Sequence, residues 1–247
     1  RINDYLDREL SAEEMALALR ADPNDPRMLR SAAFVAQSKG RWDDALTNLE
    51  RAQRLDPRSP PAQLALADQF LRMRRYPEAA RASAAGLALA PGDLNGILTD
   101  VMIPLAQGDL AGARAIITRS VAQVPEPSLV AHLSNYYDLY WVLDDRQQDL
   151  LLRLPVSAFF DDRSIRGLVF MQLLWLRGDR AGARAWADSA RVALEEQLRA
   201  APEDAQRRVF HGLTLAYLGR TEQAIAEGER GVASMPMSRD AQFGPYI

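Results

Sequence analysis

Hydrophobic positions along the chain recur at intervals of three and four residues, in short segments that end at turn-forming residues. In residues 43–55 one helix face carries Ala45, Leu49 and Ala52, with polar side chains between them. Pro57 follows this segment and ends it, because proline disfavours helical geometry in the residue before it. The pattern predicts an all-α chain of short amphipathic helices.

The turns between these segments recur at a fixed period. Prolines are spaced 34 residues apart at Pro23, Pro57, Pro91 and Pro125. Alanines keep the same interval at Ala45, Ala79 and Ala113. Gly40 precedes one of the helices and can take the left-handed conformation that ends the helix before it. The period therefore predicts units of helix, tight turn, helix and turn, each of which buries its face against its neighbours.

Residues 39–57, with the sequence KGRWDDALTNLERAQRLDP, resemble the second half of a tetratricopeptide repeat (TPR). Other units match the repeat in the small residues that let paired helices approach closely, at Ala33, Ala52, Ala67, Gly86 and Gly212. The resemblance implies a right-handed TPR superhelix, an α-solenoid of about six helix–turn–helix repeats that follow a partial leading unit.

The spacing also predicts where the repeats are regular. We expect a single TPR solenoid over residues 1–247. Residues 1–25 would form a partial leading repeat, residues 26–127 the regular repeats, and residues 128–163 a degenerate repeat. Residues 164–236 would form a long repeat and the final repeat, and residues 237–247 the start of a truncated further element. Pro104 should kink or shorten its helix. The late position of Pro202 predicts a second helix about two turns longer than the others.

The composition excludes several classes of protein. The chain of 247 residues is 48% hydrophobic, and its 30 basic and 33 acidic residues give a formal net charge of −3. We therefore expect no nucleic-acid partner, which would require clustered positive charge. No apolar stretch reaches the roughly 18 residues of a membrane span, so we expect no membrane insertion of this segment. The absence of cysteine excludes disulfides and thiolate chemistry.

Catalytic motifs are missing as well. The sequence contains no phosphate-binding loop and no dinucleotide-binding glycine motif, and its two histidines lie in predicted helices. The acidic pairs at Asp144-Asp145 and Asp161-Asp162 are typical of helix N-caps. We expect a protein that is not an enzyme, without catalytic residues, cofactors or bound metal.

The TPR resemblance implies a concave groove lined by the first helix of each repeat. Carried onto this sequence, the groove would contain Arg30, Phe34, Asp68, Arg72, Met102, His132, Tyr136, Tyr140, Gln172, Trp175 and Tyr217. His132, Tyr136 and Tyr140 are spaced four residues apart and are expected on one helix face, where they would extend an aromatic stripe. Aromatic and arginine side chains are typical interface anchors. The alternative is that these rings pack between neighbouring units.

These patterns predict a non-catalytic scaffold that binds a protein or peptide in the groove. The lysine and asparagine clamp that TPRs use for a carboxylate tail is missing, which favours an apolar or amphipathic segment as partner. Residues 133–143, 219–224 and 238–247 resemble TPR regions of bacterial serine/threonine protein kinases. The alternative function is therefore a cis-regulatory or dimerisation tail of a bacterial signalling enzyme, and homodimerisation is left open. All but one of the basic residues are arginine, which favours a bacterial source. We predict a cytoplasmic location, or a periplasmic one if a membrane span lies upstream.

Overall fold

The computed structural model describes residues 22–135, 138–236, 238, 240 and 241. Within these residues all regular secondary structure is helical, with twelve α-helices, two 3-10 helices and no strand. The all-α prediction is confirmed. The chain forms two compact units, residues 1–124 with 237–243 and residues 125–236 with 244–247. Most of the predicted leading repeat and of the predicted terminal element lies outside the described residues.

Six α-helices lie in the described part of the first unit. They are α1 (Pro26–Ser38), α2 (Trp42–Leu55), α3 (Pro60–Arg72), α4 (Tyr76–Leu89), α5 (Leu94–Leu105) and α6 (Leu110–Ser120). Each odd-numbered helix packs against the helix that follows it, and each pair packs against the next pair. They form three helix–turn–helix pairs.

Small side chains form the contacts between the paired helices of the first unit. Ala45, Ala67 and Ala79 have no exposed surface, and Ala33 is only 1% exposed. A Cβ atom added to Gly86 of α4 would lie 2.5 Å from the Leu64 side chain of α3. The recurring small residues are therefore needed because the helices approach closely, as the sequence predicts.

Two buried glutamines connect the first two repeats. Gln37 of α1 donates from Nε2 to Oε1 of Gln69 in α3, at 2.7 Å. Gln69 in turn donates from Nε2 to the carbonyl oxygen of Trp42, at 2.9 Å. Because buried amides must find partners, this chain of bonds favours one register of α1 against α3.

Glycines end the first helix in most pairs of both units. Gly40, Gly108, Gly178 and Gly219 have φ angles between 68° and 83°, a region that suits glycine. Arg74 takes the same place after α3 with a φ of 58°. Near the end of the chain, Ala241 donates from its N–H to the carbonyl oxygen of Ser38, at 2.8 Å.

In the second unit, the described residues form six further α-helices and both 3-10 helices. In chain order they are α7 (Glu126–Asn135), the 3-10 helix Leu139–Trp141, α8 (Asp145–Leu151), the 3-10 helix Val156–Phe159, α9 (Arg163–Leu176), α10 (Arg180–Ala200), α11 (Ala205–Tyr217) and α12 (Thr221–Ser234). The helix pairs α9–α10 and α11–α12 stack on each other. Asp144 and Asp162 cap α8 and α9, as the acidic pairs predict.

The helix that was expected to carry three aromatic groove residues is shorter than predicted. It ends at Asn135, and Tyr140 lies in the 3-10 helix that follows. Asp138, with a φ of 51°, separates the two elements. The expectation that His132 and Tyr140 share one helix face is therefore wrong. Burial of Val142 and Leu143, both without exposed surface, turns the chain back into the core here.

Two irregular helices follow the proline positions. The helix α5 contains Pro104 in its last turn and has 12 residues, one fewer than α3. The helix α10 has 21 residues, against 14 in α2. The extra length of α10 is anchored on the start of α9, because Gln197 donates from Nε2 to both carboxylate oxygens of Asp162 at 3.1 Å.

Candidate partner-binding surface

The groove positions of the first unit lie on the first helix of each pair. Arg30 and Phe34 lie on α1, Asp68 and Arg72 on α3, and Met102 on α5, and all five are half-buried. Nε of Arg72 donates to Oδ2 of Asp68 at 2.7 Å, one helical turn away. The opposite charges of Arg72 and Asp68 therefore partly neutralise each other within α3.

In the second unit, two aromatic residues from successive repeats are in contact. The rings of Trp175 in α9 and Tyr217 in α11 meet edge to face, with centroids 5.0 Å apart. The guanidinium carbon of Arg180 lies 3.6 Å from the Trp175 ring centroid, and Nη1 of Arg180 donates to the Trp175 carbonyl oxygen at 3.1 Å. Trp175 remains 37% exposed, so part of this aromatic surface faces solvent.

A second set of contacts connects a carboxylate to Gln172, which lies on the same helix as Trp175. Nε2 of Gln172, in α9, donates to Oδ1 of Asp138 at 3.1 Å. The hydroxyl of Tyr140 donates to Oε1 of Gln172 at 3.3 Å. The amide thus connects the chain segment after α7 to the face of α9. We call the five residues Asp138, Tyr140, Gln172, Trp175 and Tyr217 the aromatic–carboxylate cluster.

The electrostatics show that the members of this cluster influence one another. Burial raises the pKa of Tyr140 to about 12, and the neighbouring Tyr217 and Asp138 contribute to the rise. Burial also raises the pKa of Tyr217, where Asp138 adds to the shift and Arg180 opposes it. Both hydroxyls therefore remain protonated at neutral pH and can donate hydrogen bonds.

Asp138 is solvent-exposed as a residue, yet its carboxyl group is crowded by neighbouring side chains. The loss of surrounding water raises the pKa of Asp138, while the hydrogen bond from Gln172 opposes the rise. The left-handed backbone at this residue is uncommon for a side chain other than glycine, asparagine or aspartate.

Of the groove residues predicted in the second unit, the structure brings together Tyr140, Gln172, Trp175 and Tyr217. His132 is half-buried on α7, a helix that contributes no residue to this cluster. Tyr136 lies outside the described residues. That the predicted positions form one partner-binding groove stays a prediction.

Solved structures with similar folds share the repeat architecture. A tetratricopeptide repeat protein from Parabacteroides merdae ATCC 43184 is 16% identical, with a TM-score of 0.57 over 94% of this chain and 90% of the other. The type IV pilus biogenesis factor PilW is 14% identical, with a TM-score of 0.53 over 85% of this chain and 94% of its own. The chain has the TPR fold. Pseudomonas aeruginosa pilF is 17% identical, with a TM-score of 0.50 over 81% of this chain and 87% of its own.

No protein-family model and no curated protein sequence matches the chain. At these levels of identity the structural similarity establishes the TPR fold alone. The kinase-tail interpretation stays a prediction. So does homodimerisation.

The sequence did not single out Asp138, although it lies within the predicted aromatic stretch. The available signal is its position between tyrosines in a degenerate repeat. The positive φ of Asp138 depends on how the chain leaves α7, which no repeat pattern specifies.

The described part of the chain also lacks two other kinds of site. No helix in it is both long and apolar enough to cross a membrane. Nor do three or more histidine, aspartate or glutamate side chains there form a group that could hold a metal ion. His211 lies between Glu195 and Glu227, with nitrogen–oxygen distances of 3.6 and 3.7 Å, and connects α11 to its two flanking helices.

Proposed function

We propose that this TPR protein is a non-catalytic scaffold that binds a segment of a partner protein at the aromatic–carboxylate cluster. The observation that carries the proposal is the convergence of this cluster. Side chains from the segment after α7, from α9 and from α11 meet in one place, connected by the Asp138–Gln172–Tyr140 hydrogen bonds and the Trp175–Tyr217 contact. Repeat proteins commonly bind partners on an extended concave surface, which the stacking of successive repeats creates.

The chemistry of the cluster is that of an interface anchor. Tryptophan and tyrosine are enriched where binding energy is concentrated, since each offers a large rigid apolar surface together with a polar group. The exposed part of Trp175 supplies the apolar surface, and the tyrosine hydroxyls and Asp138 supply polar partners. An amphipathic segment fits this combination better than a purely apolar or purely charged one.

Catalysis is poorly supported by the same residues. A tyrosine with a pKa of about 12 is a poor general base at neutral pH, and the cluster contains no histidine or lysine to activate a nucleophile. Within the cluster, Asp138 therefore acts by electrostatics and hydrogen bonding.

The proposal is tested by selecting binding peptides with the purified chain and measuring their Kd for two variants. Trp175→Ala should weaken binding by roughly thirtyfold, the effect of removing an interface anchor worth about 2 kcal/mol. Leu176→Ala is the matched control, because Leu176 is the next residue of α9, is 54% exposed and lies outside the cluster. Its Kd should stay within about twofold.

Circular dichroism must show that both variants fold. If the selected peptides bind folded Trp175→Ala as tightly as the unaltered chain, the aromatic–carboxylate cluster is not the binding surface. If the two variants lose affinity equally, the effect is not specific to the cluster, which also contradicts the proposal.

A further inference from the structure

The carboxylate of Asp138 lacks a cationic partner among the described residues. Its one hydrogen bond there is the one that Oδ1 accepts from the neutral amide of Gln172, at 3.1 Å. Two other carboxylates of the second unit do have arginine partners. Glu126 pairs with Arg146, and Glu227 with Arg208 and Arg230.

The effect of a cationic partner is visible in the direction of the pKa shifts. Arg146 lowers the pKa of Glu126, whereas burial without such a partner raises the pKa of Asp138. A carboxylate that has lost part of its water gains more from an incoming positive charge than a fully hydrated one does. Asp138 is therefore a favourable place for a cation supplied by a ligand.

The rings beside Asp138 suit the same kind of ligand. Tyrosine and tryptophan faces attract cations through their negative π-surface. Arg180 already demonstrates this at the Trp175 ring, 3.6 Å from the centroid. The Gln172 side chain joins Tyr140 to Asp138, because it accepts from the Tyr140 hydroxyl and donates to the Asp138 carboxylate. Tyr217 packs against Trp175, one turn further along the helix that carries Gln172.

Other ligands fit these groups less well. A single carboxylate with one amide oxygen falls short of the six to eight oxygens that calcium takes. An anion would meet the negative charge of Asp138. A planar guanidinium can pair with a carboxylate and stack on an aromatic ring at the same time.

We infer that the partner segment presents a cationic side chain, with arginine the best fit, to the Asp138 carboxylate beside the rings of Tyr140 and Tyr217. This inference rests on the proposed function and specifies the chemistry of the ligand. The partner is then an amphipathic segment with a basic residue among apolar ones.

The probe is a five-residue peptide, capped at both ends, with arginine between leucines. The matched peptide carries citrulline, which keeps the shape of arginine and removes its charge. Each peptide is titrated into the labelled full chain, and its Kd is read from the NMR shift of the Trp175 indole N–H. The arginine peptide should bind at least fivefold more tightly, and added salt should reduce the difference.

The variant Asp138→Asn should abolish this preference, because asparagine tolerates the left-handed backbone but carries no charge. The control is Asp161→Asn. Asp161 is exposed, belongs to the same unit and has a φ of 56°, but its carboxylate is not part of the cluster. The preference should survive in that variant.

Equal Kd values for the two peptides, or a preference that survives Asp138→Asn, would overturn the inference. If both peptides bind equally and Trp175→Ala weakens both, the cluster binds peptides without reading charge, so the proposed function stands while the inference fails. If neither peptide shifts the Trp175 signal, the inference also fails, and the peptide selection alone decides the proposed function.

Discussion

Ala79 has no exposed surface where α4 meets α3, so the volume of a larger side chain has nowhere to go. Replacing it with leucine should lower the free energy of unfolding by about 1–3 kcal/mol through overpacking. Ala80, the next residue, is exposed, and Ala80→Leu is the matched control. Urea unfolding of both variants measures the difference. An unchanged midpoint for Ala79→Leu would contradict the close approach of these helices.

The carboxyl group of Asp138 should make stability depend on pH in an unusual direction. Its pKa is raised in the folded state, so its contribution to stability is greatest below the unfolded pKa of about 3.9 and is lost as pH rises through the folded pKa. The free energy of unfolding of Asp138→Asn should therefore increase relative to that of the unaltered chain as pH rises from 3.5 to 7. Urea unfolding at several pH values measures this trend.

Glu126 provides the opposite case as a control. Arg146 lowers the pKa of Glu126, so its contribution is present at neutral pH and is lost as pH falls through the folded pKa. Glu126→Gln should therefore be less stable than the unaltered chain at pH 7, and the difference should shrink in acid. If both variants show the same pH trend, the assignment for Asp138 is wrong.

Single residues differ in how far the sequence reveals them. Ala79 and Ala45 could be placed at helix contacts from their 34-residue spacing, because a repeating contact leaves a repeating small residue. Asp138 could not be placed in the same way. Its place in the cluster depends on its left-handed backbone and on the hydrogen bond from Gln172. Both depend on tertiary packing in an irregular repeat.

At the level of helices, Gly212 and Gly228 of the last pair should respond in opposite ways to an added methyl group. A Cβ at Gly228 in α12 would meet nothing within 4 Å, whereas a Cβ at Gly212 in α11 would lie 2.9 Å from the carbonyl oxygen of Ala224. Gly228→Ala should stabilise the fold by about 0.5–1 kcal/mol through helix propensity. Gly212→Ala should destabilise it, because the helix backbones would have to separate.

Thermal melting of the two glycine variants measures both effects. A rise in Tm for both would mean that α11 and α12 are less closely packed than described. A fall for Gly228→Ala would mean that its face of α12 is covered.

Helix boundaries were predictable wherever a proline or glycine marks them. Pro57 and Gly40 delimit α2, and the delayed Pro202 correctly indicates the length of α10. The prediction failed after α7, where residues with helical spacing continue past Asn135 but the chain turns. Spacing alone does not reveal such a turn. Leu139, Val142 and Leu143 are buried although they do not continue α7, so a helical pattern of apolar residues does not require a continuous helix.

For the whole molecule, the division into compact units predicts that the second unit has a core of its own. A fragment of residues 125–236 should fold, with a helical circular dichroism spectrum and cooperative melting, because Phe159 is fully buried and packs edge to face on Phe170 of the same unit. The fragment should also bind the peptides selected by the full chain. A disordered fragment would show that the second unit depends on the rest of the protein.

The additional length of α10 has a geometric consequence for how such a repeat can vary. The helix has 21 residues where α2 has 14. At about 100° per residue, seven added residues rotate the helix by roughly 700°, only about 20° short of two complete revolutions. Side chains beyond the insertion therefore keep nearly their original azimuth. Growth in steps of seven would allow one helix to lengthen while its neighbours keep their phase.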